Sequence, residues 1–471
     1  MEKTTHLGIC SSVTLRTVEE MKDTLKGVAE TAALNPLIDA LLSHGEAYFV
    51  GGIVRDALIG KTIKDIDIAT SLLPVRLEEI LTSLNFKVIE TGLEHGTITV
   101  LAGEQSVEVT TFRSPSKRTA TQFGASIEED LSGRDFTINA MAFDLRTECF
   151  IDPFAGFHDL QEGICRAVND AYSRFQEDPH RLLRMIRFGS AEGRVIDTDT
   201  LQAAQELAPQ ISVVAPERVR EELVHILMAP LPHVAVQHLY EVGLLQILIP
   251  ELMPAVGCQQ NEWHIHDVFE HTLWVLERSC DRPLVRLASL FHDIGKPASL
   301  SIDEEGRRHF YKHELIGAEI AEQIMTRLRF SKADTRAVTK LVREHMRPLD
   351  CGESGVRRIM RDLGEQFQEW LLLKQADAPP VMPETDFRVM YERFLQMVEV
   401  EHQRREGPVY GKLAINGDDL LAAGFSEGPD IGFVLSHCEE LVIECPEQNS
   451  RDTLMEVAQS FLRQQKNNES N

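Results

Sequence analysis

Two aspartates separated by one apolar residue, Asp65 and Asp67, have the spacing in this chain that most clearly indicates chemistry. If residues 65–69 form a β-strand, alternate side chains project to opposite faces, so both carboxylates share one face while Ile66 and Ile68 pack on the other. Mg²⁺ takes oxygen ligands, and proteins usually hold it with one or two carboxylates while water and substrate phosphates complete its shell. The pair therefore predicts a Mg²⁺ site with positions open for a nucleotide.

A glycine pair, Gly51 and Gly52, lies between a predicted strand at residues 47–50 and a predicted helix that begins at Ile53. Glycine lets backbone amides approach an anion closely, and a helix N-terminus favours negative charge, so a phosphate is expected at this turn. Each pattern alone is common, and a lone acidic pair is more often a solvated surface feature. The order and spacing of the two patterns carry the prediction.

A third carboxylate, Glu108, lies in the alternating run of residues 107–113. The alternation predicts a strand that places Glu108 on the same face as Thr110 and Phe112. A strand glutamate is more often an exposed surface residue. Beside a strand that carries two aspartates, it is also a candidate metal ligand or activator of an attacking hydroxyl.

Five motifs occur in order along this part of the chain: GGIVRD at 51–56, DIDIAT at 65–70, TTFR at 110–113, RDFTINA at 134–140 and EDPHRLLR at 177–184. Together they resemble the bacterial-type, class II tRNA nucleotidyltransferases, which share a head with bacterial poly(A) polymerases. The resemblance covers about residues 45–220 and continues more weakly towards the C-terminus. Five ordered motifs are a specific signal.

The resemblance implies that a tRNA 3′-hydroxyl attacks the α-phosphate of CTP or ATP and releases pyrophosphate. Asp65 and Asp67 then correspond to the Mg²⁺ ligands, and Glu108 is similar to a third carboxylate in part of the family. The predicted nucleotide-binding residues are Gly51, Gly52, Arg55, Arg113, Arg134, Asp135, Asn139, Asp178, Arg181 and Arg184. Many relatives have two arginines where this chain has Gly133 and Arg134, so one cationic contact is missing.

Residues 178–188 read as a helix that Asp178 caps, with Pro179 in its first turn and Arg181, Arg184 and Arg187 at three-residue spacing. From the residues alone this is a basic face that makes ordinary ion pairs. The resemblance implies instead that Asp178 and Arg181 form a protein template for the incoming base. Aspartate accepts from an exocyclic amine, and arginine donates two parallel hydrogen bonds.

The segment of residues 114–122 is shorter than the flexible loop of complete CCA-adding members and lacks its Asp-Gly-Arg-like core. Such a truncation resembles CC-adding enzymes, which leave the final adenosine to a partner. The prediction is therefore CC addition, with complete CCA addition as the close alternative. A separate A-adding enzyme is an expected partner in the CC case.

A second set of candidate residues lies between residues 264 and 377. It falls near the ends of predicted helices at 266–278, 284–293, 312–329, 332–346 and 366–378. Imidazole and carboxylate groups that converge from several helices suit a metal site, although a single histidine is more often a core or surface residue. The candidate ligands are His271, His292, Asp293, His313, His345 and Asp377.

These six residues resemble the HD superfamily of metal-dependent phosphohydrolases. The resemblance implies that His271, His292, Asp293 and Asp377 hold one divalent transition metal, while His313 and His345 match further positions of dinuclear members. Related enzymes suggest phosphatase or 2′,3′-cyclic phosphodiesterase activity towards RNA ends. The alternative is an HD fold kept as a structural or tRNA-contacting module.

The expected fold class is an α/β nucleotidyltransferase head of the polymerase β type followed by all-α neck, HD and tail regions. The expected regions are an N-terminal helical extension (1–44, with an amphipathic helix near 19–44), the head (45–165), the neck (166–255), the HD domain (256–380) and a helical tail (381–471). A helix is expected near 451–464, and the polar C-terminus after it is expected to be disordered.

Composition is typical of a multidomain globular protein, with 43% hydrophobic and 26% charged residues among 471. The net charge is −26, which predicts weak nonspecific binding to polyanions, so RNA contact requires local basic clusters. Such a cluster is present in Arg113, Lys117, Arg118, Arg134, Arg174, Arg181, Arg184, Arg187 and Arg194. The chain has no run of 18 apolar residues and a polar start, so a cytoplasmic protein without membrane contact is expected.

Three functional hypotheses follow. The leading one is a tRNA 3′-terminal nucleotidyltransferase with an attached metal phosphohydrolase, and poly(A) polymerase is a variant that shares the head. The second is an HD-dominated phosphohydrolase with a degenerate head, against which the intact aspartate pair counts. The third is a noncatalytic RNA-binding protein, which leaves the acidic and histidine positions unexplained.

Overall fold

The computed structural model describes residues 15–92, 96–103, 105–114, 123–261, 265–379, 382–406 and 413–469. The chain divides into two compact units. Unit 1 is Met1–Met253 with Arg327–Phe330, and unit 2 is Pro254–Thr326 with Ser331–Asn471. The finer division into five regions stays a prediction.

Unit 1 is built around a mixed seven-stranded sheet with strand order β3-β4-β5-β2-β1-β6-β7. The strands β2 and β5 pair in parallel, and the other neighbours pair antiparallel. The strands are β1 (Ala47–Val50), β2 (Ile66–Thr70), β3 (Lys87–Gly92), β4 (Thr97–Ala102), β5 (Gln105–Thr111), β6 (Ala142–Asp144) and β7 (Phe150–Ile151).

Helices of unit 1 flank this sheet and then follow it along the chain. A short parallel strand pair, β8 (Ile164–Cys165) with β9 (Val195–Ile196), lies outside the main sheet. The helices are α1 (Val18–Ala29), α2 (Asn35–His44), α3 (Gly52–Leu58), α4 (Pro74–Ser83), α5 (Ile127–Ser132), α6 (Gly156–Gln161), α7 (Ala171–Glu177), α8 (Arg181–Gly189), α9 (Thr198–Leu207), α10 (Pro216–Leu227), α11 (Pro232–Glu241) and α12 (Leu245–Leu248).

Residues after 254 are mainly helical, with one antiparallel hairpin of β10 (Leu300–Ile302) and β11 (Arg308–Phe310). The helices are α13 (Val268–Arg278), α14 (Pro283–Phe291), α15 (Lys296–Ser299), α16 (His313–Arg327), α17 (Lys332–Glu344), α18 (Glu353–Leu363), α19 (Phe367–Ala376), α20 (Glu384–Glu406), α21 (Gly417–Ala422), α22 (Pro429–Glu444) and α23 (Arg451–Glu469). Among the described residues, no helix combines the length and apolar character that crossing a membrane requires.

The sheet core explains why β1 is apolar at every position. β1 pairs with β2 on one side and β6 on the other, and all four of its residues are buried. A strand covered on both faces carries a continuous apolar run instead of an alternating one. The cluster on one face consists of Tyr48, Val50, Ala69, Phe112, Ile127, Leu131, Ala140, Ala142 and Val168.

Two helical predictions differ from the structure. The helix expected near 19–44 is interrupted between α1 and α2, because Pro36 has no amide hydrogen to donate and its ring clashes with the preceding helical turn. The helix expected near 451–464 is longer, because α23 continues to Glu469, and the expected disorder of the polar C-terminus stays a prediction. Its Arg, Gln and Lys residues are good helix formers, which favours the extension.

An ion pair between a buried carboxylate and a partly buried guanidinium joins α8 to the segment before the 3₁₀ turn Thr137–Asn139. Arg184 Nε donates to Asp135 Oδ2 over 2.6 Å, while the Asp135 Oδ1 atom accepts from Asn139 Nδ2 at 3.1 Å and from the Phe136 amide at 2.8 Å. Burial opposes ionisation of this carboxyl, but Arg184 and these donors lower the pKa of Asp135 to about 2. The helix is thereby fixed against the head.

Replacing Asp135 by Asn should destabilise the protein by about 1–3 kcal/mol near neutral pH, because a charged acceptor is lost beside a partly buried guanidinium. The folded-state pKa lies below the unfolded value near 3.9, so this stabilisation exists above about pH 4 and disappears as pH falls towards 2. Urea unfolding of both proteins between pH 3 and 7 measures the difference. A constant difference over that range would contradict the assignment.

Gly295, which precedes α15, lies in close contact with the backbone of α16. A Cβ built on it would lie 2.2 Å from the His313 carbonyl oxygen and 2.6 Å from the Gly317 amide nitrogen. The Gly295→Ala variant should therefore lose about 1–3 kcal/mol of stability, since backbone must move to admit the methyl group. Thermal or urea unfolding checks this.

The matched control is Gly432→Ala in α22, where an added Cβ would meet nothing within 4 Å. This change should stabilise the helix by about 0.5–1 kcal/mol, because alanine has the higher helix propensity. Equal unfolding midpoints for the two variants would refute the close contact at Gly295.

Candidate active sites

The aspartate pair lies at the start of β2. Asp65 is exposed and immediately precedes the strand, Asp67 is half-buried within it, and the neighbouring Ile66 and Ile68 are buried. The predicted alternation is therefore present. The strand begins at Ile66, one residue later than expected.

Glu108 is the residue in register with Asp67 across the parallel β2–β5 pair. Burial and the nearby Glu108 and Asp65 charges raise the pKa of Asp67, against the opposing effect of Arg134 and Arg113. The carboxylates thus repel one another, and a bound cation would relieve that repulsion. Glu108 is exposed and is not among the described residues that line the cleft beside the pair.

The glycine turn after β1 brings Arg134 close to the backbone. Gly51 adopts φ +70°, and a Cβ at this position would lie 2.5 Å from the Arg134 guanidinium. The positive φ favours glycine, and an added Cβ would also displace the Arg134 guanidinium. Arg134 also donates through Nε and Nη2 to Asp130 Oδ2, at 3.1 and 3.0 Å.

Arg55 continues this network from α3. Its Nη1 donates to Asn139 Oδ1 over 2.5 Å, and its Nε and Nη2 donate to Asp56 Oδ1 at 3.0 and 2.8 Å. Asn139 is thus held by Arg55 on one side and by Asp135 on the other. The predicted motif residues of positions 51–56 and 134–140 form one connected group.

Phe188, from α8, lies beneath several guanidinium groups. Arg55, Arg184 and Arg187 have their guanidinium carbons 5.1, 5.3 and 4.2 Å from the ring centroid. Such distances allow cation–π attraction, which orients arginines without neutralising their charge. The three arginines predicted to lie on one helix are all in α8. The aromatic ring beside them was not predicted.

Asp178 caps the turn that leads into α8. It ends α7 with φ −145° and ψ 98°, and the regular α-helix starts three residues later at Arg181. The Asp178 carboxylate accepts from the His180 amide at 3.2 Å, and the Asp178 carbonyl accepts from the Arg181 amide at 3.0 Å. The predicted cap is therefore present, with Pro179 in the first turn, while the α-helix begins later than predicted.

Arg218, on α10, pairs with both oxygens of Asp178. Its Nη1 and Nη2 donate to Oδ1 at 3.4 Å and to Oδ2 at 3.0 Å, and these contacts hold the pKa of Asp178 below its usual value although burial acts the other way. Arg181 donates to Glu177 Oε2 at 3.0 Å and to the Gly133 carbonyl at 2.9 Å. The two template candidates are thus each held by a protein partner.

A cleft of about 500 Å³ brings most of these side chains together. Its lining contains seven arginines and five aspartates, which makes it strongly polar. The residues are Gly51, Gly52, Arg55, Asp56, Asp65, Asp67, Arg113, Gly133, Arg134, Asp135, Asn139, Asp178, His180, Arg181, Arg184, Arg187, Phe188 and Arg218. The lining residues Asp56, Gly133, His180, Arg187, Phe188 and Arg218 were not among the predicted site residues, although Asp56, Gly133 and His180 lie in or directly beside a quoted motif. The predicted loop at 115–122 lies outside the described residues.

A second site lies within unit 2, where four histidines converge on Asp293. Two groups of three residues could each hold a metal ion. One is His271, His292 and Asp293, and the other is Asp293, His313 and His345. Within each group the potential ligand atoms lie within 4.8 Å of one another. The Asp293 carboxylate belongs to both groups. All five side chains are buried.

Backbone carbonyls orient three of the imidazoles in the same way. The Nδ1–H groups of His292, His313 and His345 donate to the carbonyls of Ser289, Phe310 and Val342, at 2.8, 2.7 and 2.6 Å. A carbonyl can only accept, so Nδ1 carries the proton and Nε2 presents a lone pair to the cluster. This is the orientation that a metal ligand requires.

The close approach of His313 and His345 supports a cation at this position. Their Nε2 atoms lie 3.3 Å apart and 3.4 and 3.6 Å from Asp293 Oδ1. Two imidazole lone pairs facing one carboxylate are mutually repulsive without a positive charge between them. The donor set of nitrogen and carboxylate oxygen fits a divalent transition metal.

Asp377 and Lys296 also contact the histidine cluster around Asp293. Asp377 Oδ1 lies 3.1 Å from His271 Nε2, and Lys296 Nζ lies 2.7 Å from Asp293 Oδ2 and donates to Gln260 Oε1 at 2.6 Å. Burial acts against ionisation, but His292 and Lys296 keep the pKa of Asp293 well below its usual range. All six predicted ligands are therefore brought together, and Lys296 was missed.

The pocket in front of this cluster has a volume of about 510 Å³. Arg308 and Lys374 bring positive charge to it, and Lys374 Nζ donates to the His345 carbonyl at 3.0 Å. The rest of the wall is mainly apolar and aromatic. It includes Phe310, Tyr311, Met346, Pro348, Leu349, Pro379, Phe387 and Met390.

Comparison with known proteins shows which family this chain belongs to. Three family models match the chain: the poly A polymerase head domain over residues 47–166, the probable RNA and SrmB- binding site of polymerase A over 195–256, and the HD domain over 264–378. The CCA-adding enzyme of Lactiplantibacillus plantarum is 29% identical over 447 residues, which are 91% of this chain and 96% of the relative. The A-adding tRNA nucleotidyltransferase of Deinococcus radiodurans is 30% identical over 402 residues, 83% of this chain and 89% of the relative.

A solved structure shows the same architecture. The Bacillus stearothermophilus CCA-adding enzyme in complex with CTP has a TM-score of 0.70 and 25% identity, covering 93% of this chain and all of that chain. These matches confirm the family and the fold class predicted from the motifs. The chain therefore belongs to the bacterial-type tRNA nucleotidyltransferase and poly(A) polymerase family and carries an HD domain.

Proposed function

We propose that unit 1 is a tRNA 3′-terminal nucleotidyltransferase that adds C, as CC or CCA, from CTP and ATP. The observation that carries the proposal is the shared cleft: the aspartate pair, the glycine turn and the arginines of α8 line one cavity of about 500 Å³. Metal-binding carboxylates beside concentrated guanidinium groups suit a nucleoside triphosphate. A tRNA-processing role is expected in the cytoplasm.

Asp65 and Asp67 would hold Mg²⁺. When bound, Mg²⁺ lowers the pKa of an attacking hydroxyl and neutralises triphosphate charge. The protein's own part is to keep the two carboxylates on one face at the start of β2. Glu108 would contribute from β5, where it is in register with Asp67.

Arginines would bind the triphosphate. Arg134 reaches the Gly51 turn, and Arg184 and Arg55 are oriented by Asp135, Asn139 and the Phe188 ring. Because these guanidinium groups are already fixed, less conformational entropy is lost when phosphate binds. Gly51, Gly52 and Arg113 complete the predicted set in the cleft.

Asp178 and Arg181 would select the base by hydrogen bonding. Each carboxylate oxygen has two lone-pair directions, so Asp178 can accept an exocyclic amine while Arg218 continues to hold it. Arg218 is therefore proposed as a positioning residue for the template. The Arg181 contact with Glu177 and Gly133 would have to open or be shared for base recognition.

The extent of addition is proposed from the short 114–122 segment, which favours CC addition, with CCA addition as the alternative. The relatives include enzymes named CCA-adding and A-adding, so the three outcomes must be separated by experiment. A CC-adding enzyme would need a separate A-adding partner. Untemplated adenosine runs on RNAs unrelated to tRNA would instead indicate a poly(A) polymerase.

The decisive measurement is nucleotide addition to tRNAs ending before CCA, after C and after CC, with CTP and ATP separately and together. CTP incorporation is expected on the first two substrates. Asp65→Ala and Asp67→Ala should each lower the rate by at least about 10²–10³-fold, the range for removing one group that stabilises developing charge.

Asp23→Ala, an exposed carboxylate on α1, is the matched control and should retain full activity. Undiminished turnover in both cleft variants would contradict the proposal that Asp65 and Asp67 bind the catalytic Mg²⁺. Efficient A addition after CC would reject CC-only activity, and A addition without any C addition would show an A-adding enzyme.

We propose that the HD site hydrolyses phosphoesters at RNA ends, as a phosphatase or 2′,3′-cyclic phosphodiesterase. His271, His292, Asp293, His313, His345 and Asp377 would hold the metal, which supplies an activated water and charge stabilisation when bound. The lining supports this substrate class. Arg308 and Lys374 suit a phosphate, and the aromatic and apolar wall suits an attached nucleoside.

His292→Ala and Asp293→Ala should remove bound metal from the purified chain and lower hydrolysis of a 2′,3′-cyclic nucleotide by more than about 100-fold, because outer-shell changes alone cost about 10–100-fold. Elemental analysis gives the first readout and a phosphate-release assay the second. The control is His437→Ala, an exposed histidine on α22. Hydrolysis that survives both cluster substitutions would identify the HD fold as structural.

A further inference from the structure

Four cations form a row on α17, which we call the α17 basic row: Lys332, Arg336, Lys340 and Arg343. Three of them are exposed and Lys340 is half-buried. Their spacings of four, four and three residues place them within about 80° of one another around the helix axis. The row lies opposite the buried face formed by Thr335, Ala337, Val338, Leu341 and Val342.

The α17 basic row has no counter-charge within the described part of the chain. None of its four side chains makes a hydrogen bond or an ion pair to another described residue. The acids of the helix are engaged elsewhere, since Asp334 accepts from Ser331 Oγ at 2.7 Å and Glu344 accepts from Arg347. Four unneutralised charges along one face repel each other.

On the neighbouring helix α18, by contrast, the arginines are paired with glutamates. Arg357 donates to Glu401 at 2.6 Å, Arg358 to Glu440 at 3.0 Å and Arg361 to Glu440 at 2.6 Å. In a chain with 74 acidic and 48 basic residues, carboxylates are abundant enough to pair most surface cations. An unpaired row on α17 is therefore a distinct feature of this surface.

The row is continuous along the chain with the HD site. α17 ends at Glu344. Its cap residue, His345, belongs to the candidate ligand cluster, and the next residue, Met346, is exposed and lines the HD pocket. From Lys332 to Arg343 the helix rises by about 16 Å, a length that several consecutive phosphates of a strand can follow. A polyanion lying on the row would end beside the pocket.

We propose that the α17 basic row binds the phosphate backbone of RNA and holds an RNA end for the HD pocket. Lysine and arginine neutralise phosphates and release the condensed counterions, without reading sequence. This recognition suits an enzyme unit that must accept many different RNAs. The proposal rests on the proposed action of the HD site on RNA ends.

The test uses the full chain with Lys332→Gln, Arg336→Gln and Lys340→Gln combined, which removes three charges but keeps good helix formers. Binding of a tRNA that lacks its CCA end is measured by fluorescence anisotropy between 50 and 200 mM KCl. The slope of log affinity against log salt should fall by about 2–3, and affinity at 50 mM salt should fall about tenfold or more.

The charge-matched control combines Arg358→Gln, Arg388→Gln and Arg393→Gln, which removes three charges from α18 and α20. It should leave the salt slope unchanged. In the row variant, hydrolysis of a 2′,3′-cyclic mononucleotide should match wild type, while hydrolysis of a tRNA fragment with a 2′,3′-cyclic end should fall about tenfold. A merely structural effect would lower both activities.

An unchanged salt slope in the row variant, with wild-type tRNA binding intact, would overturn the α17 assignment and leave the proposed function standing. Wild-type protein that binds no tRNA would overturn both. Binding to vesicles of anionic phospholipid that depends on the row, with tRNA binding unaffected, would also reject RNA in favour of a lipid surface.

Discussion

The ion pair between the buried Asp135 and the partly buried Arg184 is the contact on which the first site depends. Removing a carboxylate from water is unfavourable unless charge and hydrogen bonds compensate, and here Arg184, Asn139 and the Phe136 amide supply both. Through these groups one side chain fixes α8, the 3₁₀ turn and, by way of Asn139, Arg55 on α3. Two separate helices, α3 and α8, thus present their cations to one cleft.

At the second site, backbone carbonyls orient the side chains that face the cluster. Three imidazoles donate to carbonyls three residues earlier in the chain, at Ser289, Phe310 and Val342. Two of these carbonyls lie near the ends of α14 and α17, where the last carbonyls of a helix lack partners within it. Helix ends therefore orient the ligands without additional polar side chains.

Local patterns predicted the parts of the structure that depend on neighbours in sequence. The strands at 47–50 and 66–70 follow from apolar runs and alternation, and the five HD helices were placed within about two or three residues. The six HD ligands could be named because their motifs are short. Glu108 could be placed beside Asp67 because both lie on alternating strands.

The remaining features depend on proline geometry or on distant partners. Pro36 divides the N-terminal helix, although its position is compatible with a helical first turn. Arg218 reaches Asp178 from 40 residues away, which no local pattern can show. The β10–β11 hairpin was missed because its strands are only three residues long and half-exposed or exposed.

Each cleft is lined entirely by residues of one compact unit. The two sites can consequently be lost independently during evolution. A substitution that destroys one set of candidate ligands need not disturb the packing that supports the other. Lineages could lose the proposed phosphoester hydrolysis while terminal addition remains under selection. Decay of the histidine cluster in such a lineage would leave the first cleft intact, and the HD fold could persist for its surface alone.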